Sequence, residues 1–114
     1  MKTFLEIEEY AKKHFVPIAR KDFVEYFKNL IIENNYTDIL EIGSAIGYTT
    51  VNLALLENVY VTTIEYNTER YNLCLENIKD FNVEDKVIAI PLGLYILSPC
   101  PPLFTIPNLI VVSL

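Results

Sequence analysis

The segment Glu41-Ile42-Gly43-Ser44-Ala45-Ile46-Gly47-Tyr48-Thr49 decides the fold of this 114-residue chain. The segment before the glycines, residues 38–42, is short and apolar, which predicts a strand. The segment after them, residues 48–56, predicts a helix. Glycines behind a strand allow the backbone to turn sharply and to approach a ligand closely, while the following helix directs N–H groups at that ligand. The segment therefore predicts a strand–turn–helix unit with a ligand at its turn.

Strands and helices alternate beyond this turn. Residues 59–64 and 87–90 have strand patterns, a helix over 68–81 separates them, and residues 109–113 can supply a further strand. The apolar face of that helix comprises Tyr71, Cys74, Leu75, Ile78 and Phe81. Such alternation predicts an α/β fold, a partial Rossmann-like parallel sheet of three to four strands with right-handed crossovers.

Two helices are predicted before the sheet. Thr3 and Glu6 fit a capping box, and Pro17 ends the first helix. Its apolar face is Phe4, Ile7, Ala11 and Phe15. The second helix covers residues 21–33, and Asn34-Asn35 suits a left-handed end. Its apolar face is Phe23, Phe27, Leu30 and Ile31.

Composition limits the class of protein. A length of 114 residues predicts one domain, which we divide into a helical segment 1–37, a βαβαβ unit 38–93 and a tail 94–114. An apolar content of 52% supports a packed core, and a net charge of −6 argues against a protein that merely coats nucleic acid or anionic membrane. Cys74 and Cys100 form neither a disulfide framework nor a metal cluster. Glutamates at 6, 8 and 9 interrupt any signal peptide, so we expect a reducing, cytoplasmic setting.

The end of the sequence has a different character, because no charged side chain follows Lys86. A membrane span is one interpretation of such a stretch. Repeated prolines argue against it, since each removes an N–H donor from a helix exposed to lipid. They are Pro91, Pro99, Pro101, Pro102 and Pro107. We instead expect residues from Leu94 onward, apart from the strand at 109–113, to be the least stably packed part of the chain.

Glu65 identifies the class of ligand, because it ends the strand next to the turn. A carboxylate at that place can accept hydrogen bonds from both ribose hydroxyls. Ala45 breaks the dinucleotide pattern G-x-G-x-x-G, which disfavours a pyrophosphate and weakens the hypothesis of a nucleotide-binding oxidoreductase. A nucleoside without phosphates fits better, with S-adenosylmethionine as the leading candidate. The alternative is that Gly43 and Gly47 only serve a tight turn.

Residues 38–86, with the segment Tyr10-Ala11-Lys12-Lys13-His14-Phe15-Val16-Pro17-Ile18 before them, resemble the class I O-methyltransferases that use S-adenosylmethionine and a divalent metal. The strings ILEIGSAIGYTT and TIEYNTERY carry this resemblance, which points to the bacterial branch that methylates the wobble hydroxyuridine of tRNA. The resemblance implies a cofactor site formed by Ile18, Glu41, Gly43, Ser44, Gly47, Tyr48, Thr49, Glu65 and Gly93.

The resemblance also implies a role for seven of these residues. Glu41 and Gly43 would shape the methionine pocket, while Tyr48 and Thr49 would contact the carboxylate end of the cofactor. Glu65 would hold the ribose. Ile18 would lie in the stretch that folds over the cofactor, and Gly93 would lie beside the adenine.

The chain departs from the family in its tail. The family has an acidic residue after the glycine near the adenine, where this chain has Leu94, and its next strand ends in a metal-binding aspartate. Magnesium prefers carboxylate oxygens, yet no carboxylate side chain follows Asp85, so we assign no metal ligand and no catalytic residue. Two hypotheses remain: an O-methyltransferase acting on tRNA hydroxyuridine or a small aromatic hydroxyl, and a truncated, catalytically inactive domain that at most binds the cofactor. The missing carboxylates favour the second for the chain as written.

A short basic segment comprises Lys12, Lys13, His14, Arg20 and Lys21. One interpretation is a phosphate-contacting patch for tRNA. The other is a solvated helix end, in which the lysines favour the negative terminus of the helix dipole. Transfer RNA is thus the macromolecular partner that we consider, no membrane partner is expected, and a homodimer is compatible with the sequence.

Overall fold

The computed structural model describes residues 2–91 and 108–113, so Gly93 and the predicted loose segment 94–107 lie outside the described residues. Four helices and four strands occur in these residues, with a single 3-10 turn at Glu84–Lys86. The helices are α1 (Phe4–Lys13), α2 (Lys21–Glu33), α3 (Tyr48–Ala54) and α4 (Thr68–Asp80). The strands are β1 (Asp38–Ile42), β2 (Tyr60–Ile64), β3 (Val87–Ile90) and β4 (Leu109–Ser113). The predicted α/β fold with two leading helices is confirmed.

The sheet is wholly parallel and has the strand order β3-β2-β1-β4. Ile42 at the carboxyl end of β1 is paired with Ile64 of β2 on one side and with Ser113 of β4 on the other. The strand order reverses between β1 and β4, and open α/β sheets bind ligands outside the carboxyl ends of the strands at such a switch point. The glycine turn follows β1 directly, so it lies at this point.

Three helices bury one face of the sheet. Ile31 of α2, Val51 of α3 and Ile78 of α4 belong to the same buried cluster as Ile39 of β1 and Val61 of β2. A second cluster joins α1 to the turn and to α3, and its members include Ile7, Ala11, Ile46 and Tyr48. The turn is therefore held between the sheet and the first helix.

Helix ends account for the main error of the predicted helices. Phe15 was expected on the buried face of the first helix, but α1 ends at Lys13 and Phe15 is 89% exposed. Its φ of 55° is left-handed, and the Val16 N–H donates to the Ala11 carbonyl at 2.9 Å, as in a Schellman motif. Asn35 ends α2 in the same way, with a φ of 54°, which confirms the predicted left-handed end.

Two further residues of the predicted apolar faces are solvent-exposed. Phe23 of α2 and Leu75 of α4 are 53% and 41% exposed, because each helix buries a narrower stripe than the spacing suggests. No helix in residues 2–91 or 108–113 is long and apolar enough to cross a membrane.

Candidate cofactor site at the glycine turn

The turn between β1 and α3 has an unusual backbone. Gly43, Ala45 and Gly47 have φ angles of 88°, 49° and 88°. The N–H groups of Gly43 and Ser44 both donate to the carbonyl of Ile64, at 2.8 and 3.2 Å. Gly47 closes the turn by donating to the Ser44 carbonyl at 2.8 Å. The turn is thus fastened to the carboxyl end of β2, which carries Glu65.

The two glycines serve different purposes. A Cβ added at Gly43 would meet no atom within 4 Å, so the backbone there borders open space. A Cβ added at Gly47 would lie 2.9 Å from Sγ and 3.4 Å from Cα of Cys74. Gly43 therefore leaves room at the sheet edge for a ligand, whereas Gly47 allows α4 to approach the turn.

Glu65 lies beside the turn and is only 5% exposed. Its Oε1 accepts from the Ala45 N–H at 2.7 Å and its Oε2 accepts from the Asn67 N–H at 3.0 Å. A carboxylate oxygen can accept more than one hydrogen bond, so both atoms keep capacity for a ligand hydroxyl. The geometry brings Glu65 and the turn together, as the spacing predicted, and it adds a bracing role for the same carboxylate.

Glu41 lies beneath the turn and is 1% exposed. Its Oε1 accepts from the hydroxyls of Thr50 on α3 and Thr63 on β2, the latter at 2.8 Å. Burial raises the pKa of Glu41 to about 7, against the lowering effect of these hydrogen bonds, and the nearby Glu65 adds to the rise. Glu41 thus changes charge near neutral pH.

Four buried side-chain oxygens around the turn have no hydrogen-bond partner among the described residues. They are Glu41 Oε2, Ser44 Oγ, Thr49 Oγ1 and Asn77 Oδ1. Buried polar atoms are normally paired, so each of these oxygens could accept a hydrogen bond from a polar ligand or from ordered water. Glu41, Ser44 and Thr49 were all predicted as site residues, and each lies buried within or next to the turn.

Tyr48 has a second connection, which the sequence did not indicate. Its hydroxyl donates to Oε2 of Glu8 on α1 at 3.0 Å, and its ring meets the Phe4 ring edge-on with centroids 6.0 Å apart. Burial and the Glu8 carboxylate raise the pKa of Tyr48 to about 12. The Tyr48 side chain therefore fastens α1 to α3, whereas its backbone remains at the start of the helix after the turn.

Ile18 is half-buried in a cavity of about 350 Å³. The lining residues are Ile18, Ala19, Arg20, Phe23, Phe27 and Ser113. Because Ser113 is paired with Ile42, this cavity lies at the same sheet edge as the glycine turn. The link between α1 and α2 thus reaches the edge where the ligand site is predicted.

The donor set does not fit a metal. The resemblance implies an aspartate at the end of the strand that corresponds to β4, and here that strand ends in Ser113. Within residues 2–91 and 108–113, no group of three His, Cys, Asp or Glu side chains could hold an ion.

Asn77 of α4 contacts the turn, and this contact was not predicted from the sequence. It is 4% exposed and its Nδ2 donates to the Ile46 carbonyl in the turn at 2.7 Å. The sequence signal for this contact was an asparagine three residues after Cys74, on a helix face that is otherwise apolar.

Comparisons with known proteins find solved structures with a similar architecture. No protein-family model matches the chain. Among solved structures, a protein from Staphylococcus aureus classed as a caffeoyl-CoA O-methyltransferase aligns with a TM-score of 0.73 at 33% identity, covering 79% of this chain and 44% of its own. Other solved structures that this chain resembles are also named O-methyltransferases.

Two further solved structures are similar to the chain. An O-methyltransferase from Bacillus cereus, solved with S-adenosylhomocysteine, aligns with a TM-score of 0.71 at 25% identity over 85% of this chain and 47% of its own. TomG from Streptomyces achromogenes, solved with S-adenosylmethionine, has a TM-score of 0.70 at 20% identity over 87% of this chain and 47% of its own, and it supports the fold alone. The chain spans about half the length of the methyltransferases that it matches.

Proposed function

We propose that this chain binds S-adenosylmethionine at the glycine turn and forms the cofactor-binding part of an O-methyltransferase. The juxtaposition of Gly43, Ser44 and Glu65 carries the proposal, because open space, unpaired oxygens and a nearly buried carboxylate meet at one sheet edge. The similarity to the Bacillus cereus O-methyltransferase solved with S-adenosylhomocysteine supports it. The proposed setting is the reducing cytoplasm, where the buried thiol of Cys74, which forms no disulfide among the described residues, would stay reduced.

The residues of the chain would bind and orient the cofactor. Glu65 would accept from the ribose hydroxyls while it braces the Ala45 N–H, and Gly43 would let the amino-acid end lie against the backbone. Glu41 and the oxygens of Ser44 and Thr49 would provide polar groups beneath that end. When bound, S-adenosylmethionine supplies an electrophilic methyl group on a sulfonium.

The proposed methyl acceptor is a hydroxyl of tRNA hydroxyuridine or of a small aromatic molecule. The cavity beside Ile18, with Phe23 and Phe27 in its wall, is compatible with an aromatic acceptor. The basic segment supports tRNA: Lys12 and Lys13 are exposed and His14 is stacked on Tyr10, with ring centroids 4.1 Å apart. A homodimer remains a compatible assembly.

A second candidate is a catalytically inactive domain that only binds the cofactor. Ser113 favours it, because this strand end offers a hydroxyl where the resemblance implies a metal-binding carboxylate. Both candidates share the same cofactor site, and they differ only in methyl transfer.

Calorimetric titration with S-adenosylhomocysteine tests the shared part of the proposal. We expect Glu65→Gln to bind about 10- to 150-fold more weakly, the equivalent of one charge-assisted hydrogen bond of about 1.5–3 kcal/mol. Glu69→Gln, an exposed carboxylate in the first turn of α4, is the matched control and should bind like the parent chain. Gly43→Ala should remain folded and lose affinity, because its methyl group would enter the open space. Absence of binding by the parent chain, or equal binding by parent and Glu65→Gln, would contradict the proposal.

A further inference from the structure

The turn needs support from outside its own residues. A non-glycine residue in the left-handed region is unfavourable, and such residues persist only where the surroundings over-determine them. Ala45 has a φ of 49° in this turn. Two side chains hold the backbone around it: Glu65 accepts from the Ala45 N–H, in the peptide group before Ala45, and Asn77 donates to the Ile46 carbonyl, in the peptide group between Ile46 and Gly47.

The amide of Asn77 is costly for α4 to bury. Asn77 lies 4% exposed, between Cys74 and Ile78 on the buried face of the helix, and its Oδ1 has no partner among the described residues. Burying an unpaired polar atom destabilises a protein, so a leucine of similar size would pack there at lower cost. Packing of the helix therefore does not explain the amide. The hydrogen bond that Asn77 donates to the Ile46 carbonyl explains it.

Asn77 also connects the turn to a second cavity. This space of about 260 Å³ lies between α1 and α4, and Asn77 and Ile46 are both in its wall. The titratable groups that line the same cavity are Lys2, Glu6, Tyr10 and Glu76. Cys74 lies one turn earlier on α4, and Glu41 and Glu65 lie close to it around the glycine turn. The cavity beside Asn77 thus has two carboxylates, Glu6 and Glu76, and one ammonium group, that of Lys2, which is paired with Asp80 at 3.4 Å.

We propose that Asn77 is a positioning residue for the cofactor, which fixes the Ile46 carbonyl and so keeps the glycine turn in its ligand-receiving conformation. This rests on the proposed cofactor site. It gives α4 an indirect role in binding, although no residue of α4 belongs to the site that the sequence predicted. Asn77 acts through the turn.

Asn77→Leu separates this role from packing. We expect the variant to remain folded, because a leucine fills the same space, and to bind S-adenosylhomocysteine about three- to tenfold more weakly, as expected for loss of one neutral hydrogen bond that preorganises the site. Asn52→Leu is the matched control. Asn52 is also a buried asparagine, 6% exposed, but its Nδ2 donates at 2.8 Å to the Tyr48 carbonyl within its own helix. The affinity of the Asn52→Leu variant for S-adenosylhomocysteine should differ from that of the parent by less than twofold.

Asn77→Asp adds a readout that a purely structural role would not move. A protonated acid can donate to the Ile46 carbonyl, whereas an ionised one cannot. Burial at this 4% exposed position should raise the pKa of the introduced acid, and the two carboxylates of the cavity oppose the single ammonium group of Lys2. The affinity ratio of parent to variant, measured at each pH, should therefore fall towards one as the pH is lowered from 8 to 5.5. This ratio also cancels the titration of Glu41, which both proteins share.

Amide hydrogen exchange of residues 43–49 without ligand makes the test independent of the cofactor. Faster exchange in Asn77→Leu than in the parent and in Asn52→Leu supports the proposal. Parent-like affinity and parent-like exchange in Asn77→Leu would overturn it. If the parent does not bind at all, the proposed function fails, and the exchange comparison alone decides whether Asn77 positions the turn.

Discussion

Replacement of either turn glycine by alanine should separate packing from backbone strain, because both residues have a φ of 88°. Gly43→Ala introduces a methyl group that meets no atom within 4 Å, so its cost is the left-handed strain alone, about 1–2 kcal/mol. Gly47→Ala has the same strain, and its methyl group would also lie 2.9 Å from the Cys74 sulfur. Overpacking of this kind adds about 1–3 kcal/mol.

We therefore expect Gly47→Ala to lower the free energy of unfolding by about 2–5 kcal/mol, a large part of the roughly 5–15 kcal/mol typical of a domain. Urea denaturation followed by circular dichroism measures both variants, and an unchanged m value shows that the same two states are compared. The difference between the two variants is the packing cost at α4.

A double-mutant cycle assigns that cost to one contact. Cys74→Ala removes the sulfur, so Gly47→Ala should be about 1–3 kcal/mol less harmful in that background. Equal destabilisation by Gly43→Ala and Gly47→Ala, or a coupling of zero with Cys74→Ala, would refute the reasoning. In that case the close approach of α4 would not require a glycine at position 47.

Three further outcomes are expected. The folded pKa of Glu41 is raised from 4.5 to about 7, so folding takes up a proton when the pH lies between these values. The free energy of unfolding should therefore fall by roughly 3 kcal/mol as the pH rises from about 4.5 to 7, and then level off. Glu41→Gln should remove most of this pH dependence. Tyr48→Phe should lower stability by about 0.5–1.5 kcal/mol through loss of the hydrogen bond to Glu8, and calorimetry should find its cofactor affinity nearly unchanged. The 114-residue chain should transfer no labelled methyl group from S-adenosylmethionine to undermodified tRNA or catechol in the presence of magnesium or manganese, because residues 87–114 contain no carboxylate side chain. Turnover that a chelator abolishes would show this prediction to be wrong.

The sequence by itself determined the elements and the centre of the candidate site. Strand patterns, the glycine turn and the left-handed Asn35 are local features, and each is fixed by residues adjacent in the chain. The contact between Glu65 and the turn was also predictable, since parallel strands end at a common sheet edge. The burial of Phe15 was wrongly predicted, because apolar spacing gives no sign of a Schellman end formed by a phenylalanine.

Tertiary structure decided which groups meet across the turn. The place of β4 beside β1 depends on pairing between residues about seventy positions apart, and it is this pairing that brings Ser113 to the ligand edge. The hydrogen bonds of Thr63 to Glu41, of Tyr48 to Glu8 and of Asn77 to Ile46 also join separate elements. Periodicity reports which face of a helix or strand is buried, but a hydrogen bond between elements depends on how two such faces are set against each other, and only the packed fold fixes that.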